Sequence, residues 1–352
     1  MSDRRAFINA VAGAVPSTDV HRLYIDWAEG KISDPRLRKL FMRMAERSGI
    51  EHRWSVLPPA ADGDQPDFFR RASPRTSERM ALYAEAAPKL ALEAIAKLQA
   101  LTPLIGITHL VVASCTGFVA PGIDQIIARE LGLEEVERTL IGFMGCYAAV
   151  SALRVAHHIV RSEPQARVLT VTVELCSLHL QDTDDVESIL AMLQFSDGAA
   201  AALVTAEPAG LEMNRLFSLA LPESNELIQW NIGDTGFEMV LSGEVPARIQ
   251  HALEDESVRS TLLNGWEVDE VDAWAVHAGG RSILDAVQKG LQLRQGALFA
   301  SRDVLARYGN MSSSTLMFVL GELMERPSVG KGVAIAFGPG LAAEGFHFER
   351  AA

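Results

Sequence analysis

Cys146, His277 and Asn310 supply a thiol, an imidazole and a carboxamide, each placed just ahead of a helical pattern. Cys146 stands in Ile141-Gly142-Phe143-Met144-Gly145-Cys146-Tyr147, followed by the amphipathic run Ala148 to Val160. A thiol between a glycine and a helix start meets backbone N–H groups and the positive end of the helix dipole. That setting lowers a thiol pKa and makes a nucleophile. The plainer reading is a small buried hydrophobe, the usual fate of a free cysteine. His277 lies in Ala275-Val276-His277-Ala278-Gly279-Gly280, at a strand end, where the catalytic groups of open α/β sheets collect. A satisfied core imidazole would look the same. Asn310, in Tyr308-Gly309-Asn310-Met311-Ser312-Ser313-Ser314, is either an amide donor aimed at an oxyanion or an ordinary helix cap. Together the three make a nucleophile, a base and an oxyanion donor. Papain-like proteases use the same three types, but their Cys-Gly-Ser-Cys-Trp-type signature near the mature N-terminus is absent.

Short apolar strands and amphipathic helices must hold these groups. Thr108 to Ser114, Arg167 to Glu174, Gly198 to Thr205, Val271 to His277 and Lys331 to Phe337 read as strands, several of them apolar throughout, as in sheets covered on both faces. Glu78 to Leu98, Ala148 to Val160 and Arg281 to Gln288 carry apolar residues three and four apart. The alternation predicts a layered α/β fold. Pro208-Ala209-Gly210 is the candidate internal boundary, or an ordinary turn, dividing the chain into halves 1–210 and 211–352.

Composition narrows the setting. The 352 residues are 48% hydrophobic and 22% charged, enough apolar material for a sizeable core. No apolar stretch approaches the roughly 18 residues of a spanning helix. The net charge of −13 argues against a general nucleic-acid binder and requires a local basic patch for any anionic ligand. Three cysteines without CxxC spacing indicate neither a disulfide framework nor a zinc ribbon, and fit a reducing cytoplasm. Asp3-Arg4-Arg5 followed by Ala6 to Val15 imitates a signal peptide, but Asn9 interrupts the apolar segment and an opening strand is expected.

The order Gly145-Cys146, His277-Ala278-Gly279-Gly280 and Gly309-Asn310-Met311-Ser312-Ser313 resembles the type III polyketide synthases, the chalcone synthase-like enzymes, here of bacterial type. Phe337-Gly338-Pro339-Gly340-Leu341 is similar to that family's Gly-Phe-Gly-Pro-Gly loop, with Ala336 in place of the first glycine. Phe195-Ser196-Asp197-Gly198 is similar to its Phe-Gly-Asp-Gly segment, and the match runs from about Ile32 to Glu344. The resemblance implies a thiolase-like, five-layered αβαβα fold of two similar halves, a homodimer, and chemistry on coenzyme A thioesters with no metal or redox cofactor. It implies that Cys146 takes the starter acyl group, that His277 holds it as a thiolate, and that His277 and Asn310 stabilise the enolate formed as malonyl-CoA loses carbon dioxide.

The resemblance also assigns the surroundings. Arg43 and Arg47 match coenzyme A phosphate positions, Leu40 replaces a family lysine, and Lys39, Arg43 and Arg47 stand four apart on one helix face. A solvated charged face is the alternative. Phe195 and Met239 match gatekeepers between tunnel and cavity, Cys115 and His179 match cavity-lining positions, and the resemblance implies that Phe337, Gly338, Pro339 and Gly340 belong to the substrate pocket as well. His179 is either a group that orients a polyketide carbonyl or a filler that sets cavity volume. Met239 and the small Ala120 favour a fatty acyl starter, with pyrone or resorcinol- or phloroglucinol-like products. Two other readings stand beside this one: a ketoacyl synthase III-like enzyme using malonyl-acyl carrier protein, and a non-catalytic homologue. The Gly-Asn-Met-Ser-Ser loop counts against the first and the intact Cys146, His277 and Asn310 against the second.

Overall fold

The computed structural model describes residues 4–58, 67–70, 73–222 and 224–351, so Asp3 of the opening segment lies outside the described residues. Eleven strands concern the site: β1 (Phe7–Ala14), β2 (His109–Ser114), β3 (Glu137–Gly142), β4 (Val168–Leu175), β5 (Asp197–Thr205), β6 (Leu211–Ala220), β7 (Ile228–Gly233), β8 (Gly236–Leu241), β9 (Ala273–Val276), β10 (Lys331–Gly338) and β11 (Ala342–Arg350). The helices are α1 (His21–Lys31), α2 (Pro35–Glu46), α3 (Thr76–Leu101), α4 (Ile123–Glu130), α5 (Ala148–Ser162), α6 (Val186–Met192), α7 (Val245–Glu254), α8 (Arg281–Gly290) and α9 (Ser314–Met324). The strands and helices expected from periodicity are all present, with ends shifted by a few residues.

The main sheet runs β9-β10-β11-β6-β1-β5-β4-β2-β3. Its two parts join where Phe7 and Ile8 of β1 meet Glu212 and Leu211 of β6. On either side of that seam the order repeats. β1-β5-β4-β2 mirrors β6-β11-β10-β9, and β3 extends the first part alone. Pro208-Ala209-Gly210 is the turn from β5 into β6.

Alternation along the strands creates the layers. Val111 and Ala113 of β2 face a central layer of α5 and α9, while Leu110 and Val112 face α3 and α4 outside. In the second part Ala273, Ala275, Ala334 and Ala336 turn to the same central helices, and Trp274, Val276, Val333, Ile335 and Phe337 turn to α7 and α8. The result is helix, sheet, helix, sheet, helix, the thiolase-like arrangement. Ala113, Ala200, Ala202, Ala273, Ala275, Ala334 and Ala336 lie on the strand faces toward the central layer, which lets helix backbones lie close to both sheets there. No described helix is long and apolar enough to cross a membrane.

Candidate active site

Cys146 sits in a single 3-10 turn, Gly145–Tyr147, that leads into α5. Gly145 has φ +75°, and a Cβ there would lie 2.3 Å from Pro339 Cδ, so the turn needs glycine in both respects. Cys115, beyond the end of β2, fixes the same turn: its Sγ accepts from Gly145 N at 2.9 Å and donates to Gly145 O at 3.4 Å. The central helix layer thereby presents Cys146 to the interior from the first half of the fold.

The second half supplies the other two groups. His277 continues the β9–β10 pairing by one residue through its N–H to Ile335 O at 2.8 Å, and the chain turns sharply as Gly279 N bonds back to His277 O at 2.9 Å. Asn310 Nδ2 donates to Gly279 O at 3.1 Å, which ties the two loops together. The Asn310 backbone is bonded on both sides of Phe195, accepting from Ser196 N at 2.9 Å and donating to Gln194 O at 2.8 Å. Asn310 is not a helix cap. Its Oδ1 accepts from Ser312 N at 2.9 Å, and α9 begins four residues after Asn310 without a side-chain cap.

Electrostatics correct one expectation. Burial pushes the Cys146 thiol up to about 12, outweighing hydrogen bonds from Ser312 and Asn310 that pull it down. The helix-start environment is real but acts on a thiol that is partly exposed and packed deep in the protein, and desolvation of the anion wins. Burial likewise carries His277 down to about 3, and neither of its ring nitrogens has a hydrogen-bond partner. The unliganded site therefore holds a neutral thiol and a neutral imidazole. An unpaired, fully buried imidazole is costly to keep. Both nitrogens keep their hydrogen-bonding capacity unused.

Cys146 opens onto a cavity of about 430 Å³ whose wall is mostly apolar. Cys115, His179, Phe195, Met239 and Pro339 line it, as do Trp230, Phe237, Leu23, Tyr24 and Trp27. Phe337, Gly338 and Gly340 do not. Strand parity turns Phe337 into the outer core with α7 and α8. Gly338 lies under the Tyr147 ring, where a Cβ would approach Cδ1 to 2.5 Å. Only Pro339 of that loop reaches the cavity. Lys39 and Arg43 on α2, and Arg47 at its end, are exposed on the surface and have no ion-pair partner among the described residues.

His179 is fully employed. Its Nε2 meets Thr116 O at 2.7 Å, its Nδ1 accepts from Phe237 N at 2.9 Å, and its ring stacks on Phe237 with centroids 4.2 Å apart. Those bonds fix the tautomer and pin the β7–β8 hairpin against the loop after β2. Trp230 Nε1, bonded to Cys115 O at 2.8 Å, completes that wall.

The models for the N-terminal and C-terminal domains of chalcone and stilbene synthases match residues 2–208 and 213–350. The chain belongs to that family. It is a type III polyketide synthase, an acyltransferase. The synthase is 34% identical to the alpha-pyrone synthesis polyketide synthase-like Pks18 of Mycobacterium tuberculosis, over 90% of this chain and 84% of that one. Bisdemethoxycurcumin synthase of rice is also 34% identical, over 87% of this chain and 81% of the rice protein. Among solved structures, PKS-I from the brown alga Ectocarpus siliculosus superposes with a TM-score of 0.88 at 28% identity, covering 98% of both chains. The C-terminal type III polyketide synthase domain of Steely1 from Dictyostelium superposes at 0.89 with 26% identity, covering 99% of this chain and all of that domain.

The synthase holds further polar groups at the site that sequence reasoning passed over. Glu174, at the end of β4, is fully buried and accepts from Ser313 Oγ at 2.5 Å, Thr116 Oγ1 at 2.8 Å and Cys115 N at 3.0 Å. Burial raises its carboxyl to about 7 despite those bonds. A lone carboxylate in the otherwise uncharged run Val168 to Leu175 was the available signal. Ser312 stood inside the quoted Gly309-Asn310-Met311-Ser312-Ser313 motif without a role of its own, and Trp230 had no signal, because it takes its place through a contact distant in sequence.

Proposed function

We propose that this synthase loads an acyl-CoA starter onto Cys146 and extends it by decarboxylative condensation with malonyl-CoA, then releases a cyclised product. The carrying observation is the convergence on Cys146, in the wall of one apolar cavity, of side-chain hydrogen bonds from Asn310 and Ser312, with Asn310 also tied through Gly279 O to the loop that carries the unbonded, buried imidazole of His277. Cys146 attacks the starter thioester as its proton passes to His277, so no free thiolate has to persist in a desolvated site. Coenzyme A departs as the thiol. In the extension step malonyl-CoA loses carbon dioxide, and the negative charge that develops on its thioester oxygen meets the Asn310 amide and His277. Fixed donors in a dry pocket stabilise that charge with little reorganisation. The enolate carbon then attacks the Cys146 thioester. Coenzyme A thioesters are substrates here, and the chemistry calls for no metal or redox cofactor.

The apolar wall of Leu23, Tyr24, Trp27 and Met239 suits an alkyl chain, which supports a fatty acyl starter. The name of the Mycobacterium relative, an alpha-pyrone synthesis enzyme, favours lactone closure over resorcinol- or phloroglucinol-type rings. Lys39, Arg43 and Arg47 are the groups we assign to the coenzyme A phosphates, and their unpaired state supports that role. A homodimer is supported by β3, an exposed strand at the open end of the sheet with Leu140 47% exposed. The test is product mass after incubation with malonyl-CoA and acyl-CoA starters from acetyl to palmitoyl plus one aromatic, beside Cys146→Ala. Products of starter plus successive two-carbon units, absent with the variant, are expected. Activity that appears only with malonyl-acyl carrier protein would overturn the coenzyme A reading.

A further inference from the structure

The end of α5 and the middle of β6 form a second cleft, away from the Cys146 cavity. Arg154, His157, His158, Arg161 and Arg215 line this open space of about 560 Å³, with the Glu344 carboxylate behind its wall on Arg154 and Ser218. In a chain of net charge −13, five cationic or imidazole groups in one cleft is a local reversal of sign. Arg154 is neutralised by Glu344 and also bonds to Phe217 O at 3.1 Å. Arg161 and Arg215 are both exposed, and neither guanidinium has an ion-pair or hydrogen-bond partner among the described residues.

His157 adds an independent observation. It is only 2% exposed, and its Nδ1 has no hydrogen-bond partner, while a hydrogen bond to the Met213 backbone holds the ring. The rings of His157 and His158 stand edge to face, 5.2 Å apart. Compensation of the helix dipole accounts for a cation in the last turn of α5, where Arg161 lies. It accounts neither for Arg215, which comes from β6, nor for a buried imidazole nitrogen without a partner.

We propose that this cleft is a binding site for a phosphate-class anion. Arg161 and Arg215 would hold the phosphate oxygens from two different elements, the geometry for which paired guanidinium forks are suited. His157 Nδ1 would accept from a protonated phosphate oxygen, which satisfies the orphaned atom. The site is separate from Lys39, Arg43 and Arg47, and it does not depend on the acyl-transfer chemistry proposed above.

Calorimetric titration of the full chain at low ionic strength tests this, with pyrophosphate in one arm and adenosine 3′,5′-bisphosphate in the other. Saturable binding of pyrophosphate is expected, weakened at least ~tenfold in Arg161→Ser/Arg215→Ser and largely kept in Arg161→Lys/Arg215→Lys. Arg43→Ser/Arg47→Ser should lose any pyrophosphate held by the groups assigned to coenzyme A and keep the binding that depends on Arg161 and Arg215. Binding of the nucleotide but not of pyrophosphate, with the same loss in the serine pair, would identify a nucleotide as the source of the phosphate. The proposal is overturned if neither anion saturates the parent, if the serine pair binds both undiminished, or if only the α2 variant loses binding. Both arginines are exposed, so folding of the variants is checked by an unchanged melting temperature and condensation rate.

Discussion

His277 and His179 are two buried imidazoles in the same interior. Burial drives both far below the ordinary histidine range, to about 3 and about 4. Their bonding differs completely. His179 uses both nitrogens on Thr116 O and Phe237 N, whereas His277 uses neither. One loop spends its imidazole on holding the hairpin that walls the cavity. The other keeps an imidazole unbonded next to Gly279, whose carbonyl is gripped by Asn310. Depressed basicity alone therefore does not mark the reacting group. The unsatisfied hydrogen-bonding capacity is what separates these two.

The strongest way to break that comparison is to delete each group. Cys146→Ala or His277→Ala should lower condensation by at least ~10³-fold, measured as product formed per minute, with a melting temperature equal to or above the parent's. His179→Ala should do the reverse. It orphans Phe237 N–H and Thr116 C=O and removes the stacked ring, a loss of ~2–4 kcal/mol read by denaturant unfolding. Turnover per folded molecule should stay within ~tenfold, because no free nitrogen of His179 is available for proton transfer. Equal stability losses for the two histidine variants would erase the distinction.

Glu174 sharpens the same point with a carboxyl. Its folded pKa of about 7 lies above the usual 4.5, so the native state binds the proton more tightly than the unfolded chain. Its contribution is fully present below about pH 4.5 and is lost as pH rises through 7, an amount of roughly 3 kcal/mol. Glu174→Gln keeps an oxygen acceptor for Cys115 N and Thr116 Oγ1. The variant should therefore gain on the parent between pH 5 and pH 8, read from unfolding at the two values. Identical pH profiles would show that Glu174 is ionised in the native state throughout. The smallest effect belongs to Met239→Phe, on the hairpin that His179 pins. A stiffer ring there should shift starter preference toward shorter acyl chains by a few-fold, about 1 kcal/mol in relative kcat/KM.

Much of this was readable along the chain. Cys146, His277 and Asn310 each lie between a sheet and a helix pattern, and the glycines beside them mark tight turns. The strands read as buried because they carry almost no charge. The state of the thiol was not readable in this way. Residues 145 to 148 announce a helix start and its favourable dipole, but the depth of Cys146 depends on strands and loops from both halves. Phe337 misled for a simpler reason. A period-two strand alternates its sides, and which side faced the cavity depended on where β10 lay against β9 and the central helices.

Residue types and their local order thus determined the reaction class, the layered α/β fold and the three groups proposed to react. Those follow from short-range rules: periodicity, turn chemistry, and nucleophile, base and donor in chain order. Tertiary structure decided the protonation states, the employment of His179 and the wall built by Trp230, Phe237 and Met239. These depend on desolvation and on pairings such as His179 with Phe237 and Glu174 with Ser313, between residues 58 and 139 positions apart. Burial and hydrogen-bond satisfaction are properties of the packed molecule, and no local stretch of sequence carries them.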